Sequence, residues 1–173
     1  MRKTTLIFRF LIVLMCLPLC SCILQSPQAL FADKEGKPLL QPFGNTFVAY
    51  NRESGEWKKQ DDIIKFNAEG NHYRVHDKNG DIKILFAQLN EHWWVMQSNE
   101  TGKPSTYLLV RPEGNALVLH ILSCKVLKQN ASLRAAISFS GDDCTANANM
   151  TKAKFLELTT SPEPALLKIE PLH

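Results

Sequence analysis

Short stretches in which apolar and polar residues alternate recur through the middle of the chain, at a spacing of roughly ten residues. In one of them Ile82, Ile84 and Phe86 occupy every second position, so the three side chains share one face of an extended strand. Six further stretches have the same strand-like composition. The predicted strands span residues 46–50, 63–66, 72–76, 82–86, 93–97, 106–110 and 116–122.

Turn-forming residues separate these strands. The Asn79-Gly80 pair lies between two apolar alternations, which is the strongest short signal for a β-hairpin. Glycine, asparagine and proline also mark turns at residues 51–55, 99–104 and 112–115. The succession predicts a mainly β fold, an antiparallel meander that forms a small barrel or a sandwich. The two architectures produce the same alternation, so both remain open.

The pattern changes after Cys124. Residues 131–137 and 151–159 have helical spacing, with Thr151 available as an N-cap for the second segment, so one or two short C-terminal helices are expected. Prolines interrupt residues 161–164, and the stretch 161–173 is predicted to be a loosely packed tail or an edge strand.

The first residues have the composition of a secretion signal. Residues 1–9 are basic and residues 10–19 form an apolar run. As a helix this run is about 15 Å long, too short for a hydrocarbon core of roughly 30 Å. Residues 1–21 are therefore predicted to be a cleaved signal peptide rather than a membrane span.

The end of this leader, Leu19-Cys20-Ser21-Cys22, resembles the lipobox of bacterial lipoproteins. The resemblance implies a diacylglycerol on Cys22, cleavage before it and acylation of the new amino terminus, for example by palmitate. Ile23 in the next position resembles the pattern that directs lipoproteins to the outer membrane. An ordinary signal cleaved after Ala32 is the alternative. The expected organisation is a lipidated tether over residues 22–42, from which Leu30 and Phe31 can dock, and a β-rich domain over residues 43–160.

The net charge of +3 comes from the leader. Three of the 20 basic side chains lie there and none of the 17 acidic ones, which leaves 20 − 3 = 17 of each sign in the remainder. A neutral domain has no electrostatic footprint for nucleic acid. The expected partners are therefore a membrane, through the lipid anchor, and a small ligand or an envelope protein.

Two cysteines, Cys124 and Cys144, remain when the leader and Cys22 are set aside. An even pair in an oxidising compartment predicts a disulfide, which would close a loop of about 20 residues. A metal pair or a redox pair is disfavoured, because the spacing is unlike CxxC.

No catalytic motif stands out. A GxSxG elbow and a glycine-rich phosphate loop are both missing, so we expect neither an enzyme nor a cofactor. His72 and His76 would lie about 13 Å apart on a strand, too far to chelate one metal ion, and are expected in a solvent-facing row with Arg74.

Aromatic residues are the remaining candidates for a contact site. Trp93 and Trp94 are adjacent and must point to opposite faces of a strand, and Tyr107 lies on the next predicted strand. Each could line a ligand cavity or a contact patch. The structural alternative is that neighbouring elements cover both indoles.

These observations favour a non-enzymatic binding module anchored in the cell envelope, at the outer membrane and facing the periplasm. A likeness to lipocalin-type barrels is one of architecture alone. Two other functions remain open. One is an inhibitor of a cell-wall hydrolase, because size, anchor and disulfide resemble those of lysozyme inhibitors. The other is a structural accessory of an outer-membrane complex.

Overall fold

The computed structural model describes residues 23–77 and 80–172. This part of the chain is mainly β and contains twelve strands. In chain order these are β1 Gln25–Ser26, β2 Thr46–Glu53, β3 Glu56–Lys65, β4 Asn67–Glu69, β5 His72–Asp77, β6 Gly80–Gln88, β7 Trp94–Glu100, β8 Ser105–Glu113, β9 Ala116–Ile121, β10 Ile137–Ser140, β11 Asp143–Ala146 and β12 Ala165–Pro171.

Two short α-helices follow β9: α1 at Cys124–Leu127, where no helix was predicted, and α2 at Lys152–Leu158, inside a predicted segment. Thr151 occupies the N-cap position of α2, although its side chain makes no capping hydrogen bond. Single turns of 3-10 helix lie at Asp33–Glu35, Gln41–Phe43 and Ala131–Leu133. The second predicted helical segment is therefore confirmed, whereas the first, 131–137, is a 3-10 turn that leads into β10.

Nine of the twelve strands follow one another in antiparallel pairs, in the order β3-β2-β12-β9-β8-β7-β6-β5-β4. Strand β1 joins this sheet at β8 and pairs in parallel with β11, which pairs with β10. From β5 to β9 each strand pairs with the next along the chain, which confirms the predicted meander. The hairpin between β5 and β6 is confirmed by a ladder that runs from Tyr73–Ile84 to Asp77–Gly80. All seven predicted strands are present.

The sheet curls into a half-barrel because its two ends belong to one continuous stretch of chain. Strand β3 pairs with β2 at one end of the order, and β4 pairs with β5 at the other. Only Phe66 separates β3 from β4. The alternative of two stacked sheets is therefore replaced by a single curled sheet.

Alternation along the strands gives the sheet two apolar faces. Ile82, Ile84 and Phe86 of β6 belong to an inner cluster on the concave face, whereas Leu85 and Ala87 belong to an outer cluster. The outer cluster is covered by the N-terminal segment and by the elements that follow β9. Both faces of the central strands are therefore buried.

The described residues of the predicted tether, 23–42, pack against the sheet and do not hold the domain away from the anchor as a spacer. Leu24, Phe31 and Leu40 are buried, and β1 pairs with β8 and β11. The predicted docking of Phe31 is confirmed. Irregularly spaced apolar residues pack onto the sheet here, so the prolines mark bends in an ordered segment rather than a spacer.

The prediction of a C-terminal tail or edge strand is also wrong. Strand β12 lies inside the sheet, between β2 and β9, and its Ile169 is buried in the inner cluster. Ala165, Leu167 and Ile169 alternate with polar residues or Leu166. Prolines flank this alternation and made it hard to recognise as a strand. Pro162 and Pro164 precede β12, and Pro171 is its last residue.

Candidate functional site

The concave face of the sheet encloses an apolar cavity of about 160 Å³. Its wall consists of alternating inward side chains from neighbouring strands. Apolar wall residues include Ile64, Phe66, Val75, Ile82, Ile84, Phe86, Met96, Val110, Leu117, Leu119, Leu167 and Ile169. Because these side chains offer no strong hydrogen-bonding groups, the interior suits a hydrophobic ligand.

A row of aromatic rings supports one side of this wall. Phe47, Phe66, Tyr73 and Phe86 pack edge to face, with successive ring centroids 5.4, 6.1 and 5.8 Å apart. The Tyr73 hydroxyl accepts a hydrogen bond from the backbone N–H of Leu40 at 3.0 Å. Burial raises the pKa of Tyr73, so the phenol stays neutral. The N-terminal segment thus packs against the rings and holds this part of the wall in place.

The mouth of the cavity lies between β3 and β5. The β4–β5 ladder ends at the pair Asn67–Arg74, and beyond it no ladder joins β3 to β5 among the described residues. Asp62, Ile63, Lys65 and His76 line the opening. Ile63 is 60% exposed, more than any other large hydrophobic residue in the described chain. Ile64 belongs to the inner cluster, so alternation places the side chain of Ile63 on the other side of β3, at the rim of the cavity.

Charged groups near the mouth lie on the solvent side of β5. Arg74 binds both Glu69 and Asp81, at 2.7 and 3.2 Å. His76 lies 2.8 Å from a carboxylate oxygen of Asp81. The hydrogen bond with His76, followed by that with Arg74, lowers the pKa of Asp81. The predicted solvent-facing row on β5 is confirmed, because Tyr73 and Val75 point inward between these residues.

Comparison with protein-family models, with curated proteins and with solved structures finds no match. Function is therefore inferred from the geometry of this chain alone. Within residues 23–77 and 80–172, no three histidine, cysteine, aspartate or glutamate side chains come together as a metal site. In the same part of the chain, no helix has the length and apolar character needed to cross a membrane.

The three aromatic candidates do not come together. Trp93 is buried in the outer cluster, whereas Trp94 is half-buried against the inner cluster, which confirms that they lie on opposite faces. Tyr107 is completely buried on the outer side, beside the rings of Phe31 and Phe155. None of the three lines the cavity.

Trp93 contributes to a buried polar cluster on the outer face. Its ring centroid lies 5.1 Å from that of His120, and the Arg111 guanidinium lies 5.4 Å from the centroid of the same indole. His120 Nδ1 donates a hydrogen bond to the carbonyl oxygen of Glu163 at 2.6 Å. Burial, as the largest cause, lowers the pKa of His120.

The predicted disulfide between Cys124 and Cys144 is present and joins α1 to β11. Cys22, the predicted lipidation site, lies outside the described residues. Sequence reasoning missed the cavity mouth. The only signal was Ile63-Ile64, an apolar pair that follows two aspartates and gives no clean alternation.

Proposed function

We propose that this chain is a lipid-anchored protein of the cell envelope whose β domain is a non-enzymatic binding module. The module holds the apolar part of a small ligand in the inner cavity. One observation carries the proposal: the concave face is lined by apolar side chains and reaches the surface at Ile63. A closed, filled core would leave no such space between the inward-facing side chains.

The size of the cavity limits what it can hold. Pockets for drug-sized ligands are about 300–1,000 Å³. By contrast, an apolar cavity of about 150 Å³ accommodates one benzene molecule. At about 160 Å³, the cavity takes one narrow apolar group, and any larger ligand must extend through the mouth.

The chemistry of the wall supports binding rather than catalysis. Among the described lining residues, only Asp62, Lys65 and His76 carry ionisable side chains, and all three lie at the opening. General acid–base or nucleophilic catalysis needs such groups to converge on a substrate atom. The polar groups instead surround an entrance, where they can orient the polar end of an amphipathic ligand.

The test is a displacement assay on the mature chain carrying Cys22→Ser, purified with its disulfide formed. A fluorescent apolar probe is displaced by a series of n-alkanols of increasing length. We expect saturable binding with one site per chain, and affinity that rises with chain length until the cavity is filled. Each buried methylene contributes about 0.8 kcal/mol, close to a fourfold gain in affinity.

Two variants and one control show whether the probe binds in the cavity. Leu119→Trp places a larger ring in the cavity and should weaken binding by about tenfold or more. Ile63→Ser removes the apolar mouth residue and should weaken binding less. Val126→Ser removes another exposed apolar side chain, on α1, and should leave binding unchanged. Equal affinity in the parent and in a folded Leu119→Trp variant would refute the proposal.

A further inference from the structure

We propose that β3 is a docking edge for a second copy of this chain, and that the two β3 strands pair in antiparallel about Gln60. This inference goes beyond the proposed ligand cavity and does not depend on the lipid anchor. It follows from the position of β3 in the sheet and from the order of charged and apolar residues along the strand.

Strand β3 has one edge without a strand partner in the described part of the chain. It lies at one end of the strand order, and among the described residues its only ladder is the one with β2. It is also long, with ten residues from Glu56 to Lys65. The edge of such a strand carries a row of backbone N–H and C=O groups that can pair with another extended chain.

The charges along β3 are complementary to those of a second β3. Lys58 and Lys59 precede Gln60, and Asp61 and Asp62 follow it. In an antiparallel pair centred on Gln60, Lys59 lies opposite Asp61 of the partner subunit. Lys58 then lies opposite Asp62 of the partner subunit. Two-fold symmetry gives each contact twice, and opposite charges at directly opposed positions favour pairing.

The same charges disfavour the neighbouring registers. A shift of two residues in one direction would place Lys59 opposite Lys59 of the partner subunit. A shift of two residues in the other direction would place Asp61 opposite Asp61 of the partner subunit. Like charges at opposed positions are destabilising. Charged residues usually protect an edge strand from pairing, but in this order they select one arrangement.

The selected register also covers the most exposed large hydrophobic residue of the described chain. It places Ile63, which is 60% exposed, opposite Trp57 of the partner subunit. The two positions are an even number of residues apart in β3, so both side chains lie on the outer face. Trp57 is half-buried and contacts Arg52 and Lys168 through its ring. An aromatic residue opposite a β-branched one is a favourable cross-strand pair.

Pairing also brings the second copy to the mouth of the cavity. Ile63 lies at the rim, so Trp57 of the partner subunit lies beside the opening in the dimer. A single pair of strands buries less surface than a standard interface of roughly 1,600 Å². The dimer is therefore expected to form reversibly and to depend on protein concentration.

Dimerisation is tested by sedimentation velocity of the Cys22→Ser protein over a range of concentrations. We expect a reversible monomer–dimer equilibrium. Lys59→Glu and Asp61→Lys each place like charges opposite one another twice, and each should weaken dimerisation about tenfold or more. Lys128→Glu is the matched control, because it makes the same change of charge at an exposed residue outside β3 and should leave the equilibrium unchanged.

An exchange of charges separates specific pairing from a general effect of charge. The double variant Lys59→Glu/Asp61→Lys restores opposite charges at both contacts and should dimerise as the parent does. A mixture of the two single variants should form a heterodimer for the same reason. A parent that stays monomeric at every concentration, or a double variant as weak as the single ones, would overturn the proposal.

The register is tested by oxidising cysteine variants of the Cys22→Ser protein. Gln60→Cys places two thiols at directly opposed positions, with Cα atoms about 4.5–5.5 Å apart, which suits a disulfide. Lys58→Cys is the control, because its two copies lie four positions apart, about 13 Å along the strands. We expect disulfide-linked dimers to form several-fold faster in Gln60→Cys. Equal or slower formation in Gln60→Cys would show that the strands do not pair about this residue.

Discussion

The side-chain amide of Gln97 hydrogen-bonds both backbone groups of Phe31. The Phe31 N–H donates to Gln97 Oε1 at 3.0 Å, and Gln97 Nε2 donates to the Phe31 carbonyl at 3.1 Å. Both residues are buried, and the Phe31 ring packs against Tyr107 and Phe155. A side chain of β7 thus supplies the hydrogen bonds for the backbone of an N-terminal segment that has no strand partner at this point. This clamp orders the segment that leads from the proposed anchor to the sheet.

Replacing Gln97 with leucine should destabilise the protein by about 2–4 kcal/mol. The substitution leaves two buried backbone groups of Phe31 without partners, and each costs about 1–3 kcal/mol, partly offset by the apolar side chain. The measurement is the urea midpoint of unfolding. Gln88→Leu on the neighbouring strand is the control, because its hydrogen bonds to Lys37 and Asn90 are exposed. The free energy of unfolding of this control should stay within about 0.5 kcal/mol of the parent's. Similar losses in both variants would contradict the role assigned to the clamp.

The disulfide should contribute about 3 kcal/mol. Cys124 and Cys144 are separated by 20 residues, and closing a loop of about that size restricts the unfolded chain by this amount in the entropy model. The Cys124→Ala/Cys144→Ala double variant should therefore unfold at a lower urea concentration than the oxidised parent. Both cysteines are buried, so a reductant should lower the parent's stability only after unfolding exposes the bond. An unchanged midpoint in the double variant would contradict this.

Local pattern was sufficient to predict the strands that have a clean period. Ile82, Ile84 and Phe86 share the inner face because backbone geometry alone places alternate residues there. It was insufficient for β12 and for the N-terminal segment. Which strand lies beside β12, and what covers Phe31, depends on contacts between residues far apart in sequence. Proline-rich flanks gave a misleading local signal in both places.

The cavity wall, but not the mouth, could be predicted from the sequence. Alternation along a strand indicates an apolar face, whether that face packs in a core or lines a cavity. The opening depends on where the β4–β5 ladder stops and on a register shift between Val48 and Tyr50 in the β2–β3 ladder. Such irregularities re-aim a strand and are set by the packing of the whole sheet. Two of the aromatic residues singled out in the sequence, Trp93 and Tyr107, are buried in the outer cluster and do not line the cavity.

Gly36 should not tolerate a side chain. A Cβ atom at this position would lie 2.1 Å from the backbone oxygen of Asn71, in the turn between β4 and β5. Its φ of −67° is ordinary, so the constraint is space rather than backbone conformation. Gly36→Ala should therefore cost about 1–3 kcal/mol through displacement of the N-terminal segment.

Gly114→Asn is the matched control for that substitution. Gly114 has φ +58°, and no atom lies within 4 Å of the place that a Cβ would occupy. Asparagine adopts this left-handed conformation more readily than most residues, so the cost should remain below about 1 kcal/mol. Thermal unfolding of both variants provides the comparison. A larger loss for Gly114→Asn than for Gly36→Ala would show that close approach at Gly36 is not the limiting constraint.

His120 should make the protein less stable as the pH falls below 6.5. Burial lowers the pKa of His120 from its ordinary value of 6.5, and the nearby charge of Arg111 acts in the same direction. The hydrogen bond to Glu163 and the charge of Glu113 oppose this shift. Its Nε2 has no hydrogen-bond partner among the described residues, so a proton added there would be buried without an acceptor.

The sign follows from proton binding. Below pH 6.5 the unfolded chain binds a proton at His120 before the folded chain does, so acidification favours unfolding. The contribution is fully present above pH 6.5 and is lost as the pH falls through the lower folded pKa. The stability slope from this one proton cannot exceed about 1.4 kcal/mol per pH unit. Urea unfolding at closely spaced pH values between about 7.5 and 5, on the parent and on His120→Phe, isolates that slope. We expect the variant to show a shallower decrease, and equal slopes would mean that His120 titrates alike in the folded and unfolded chains.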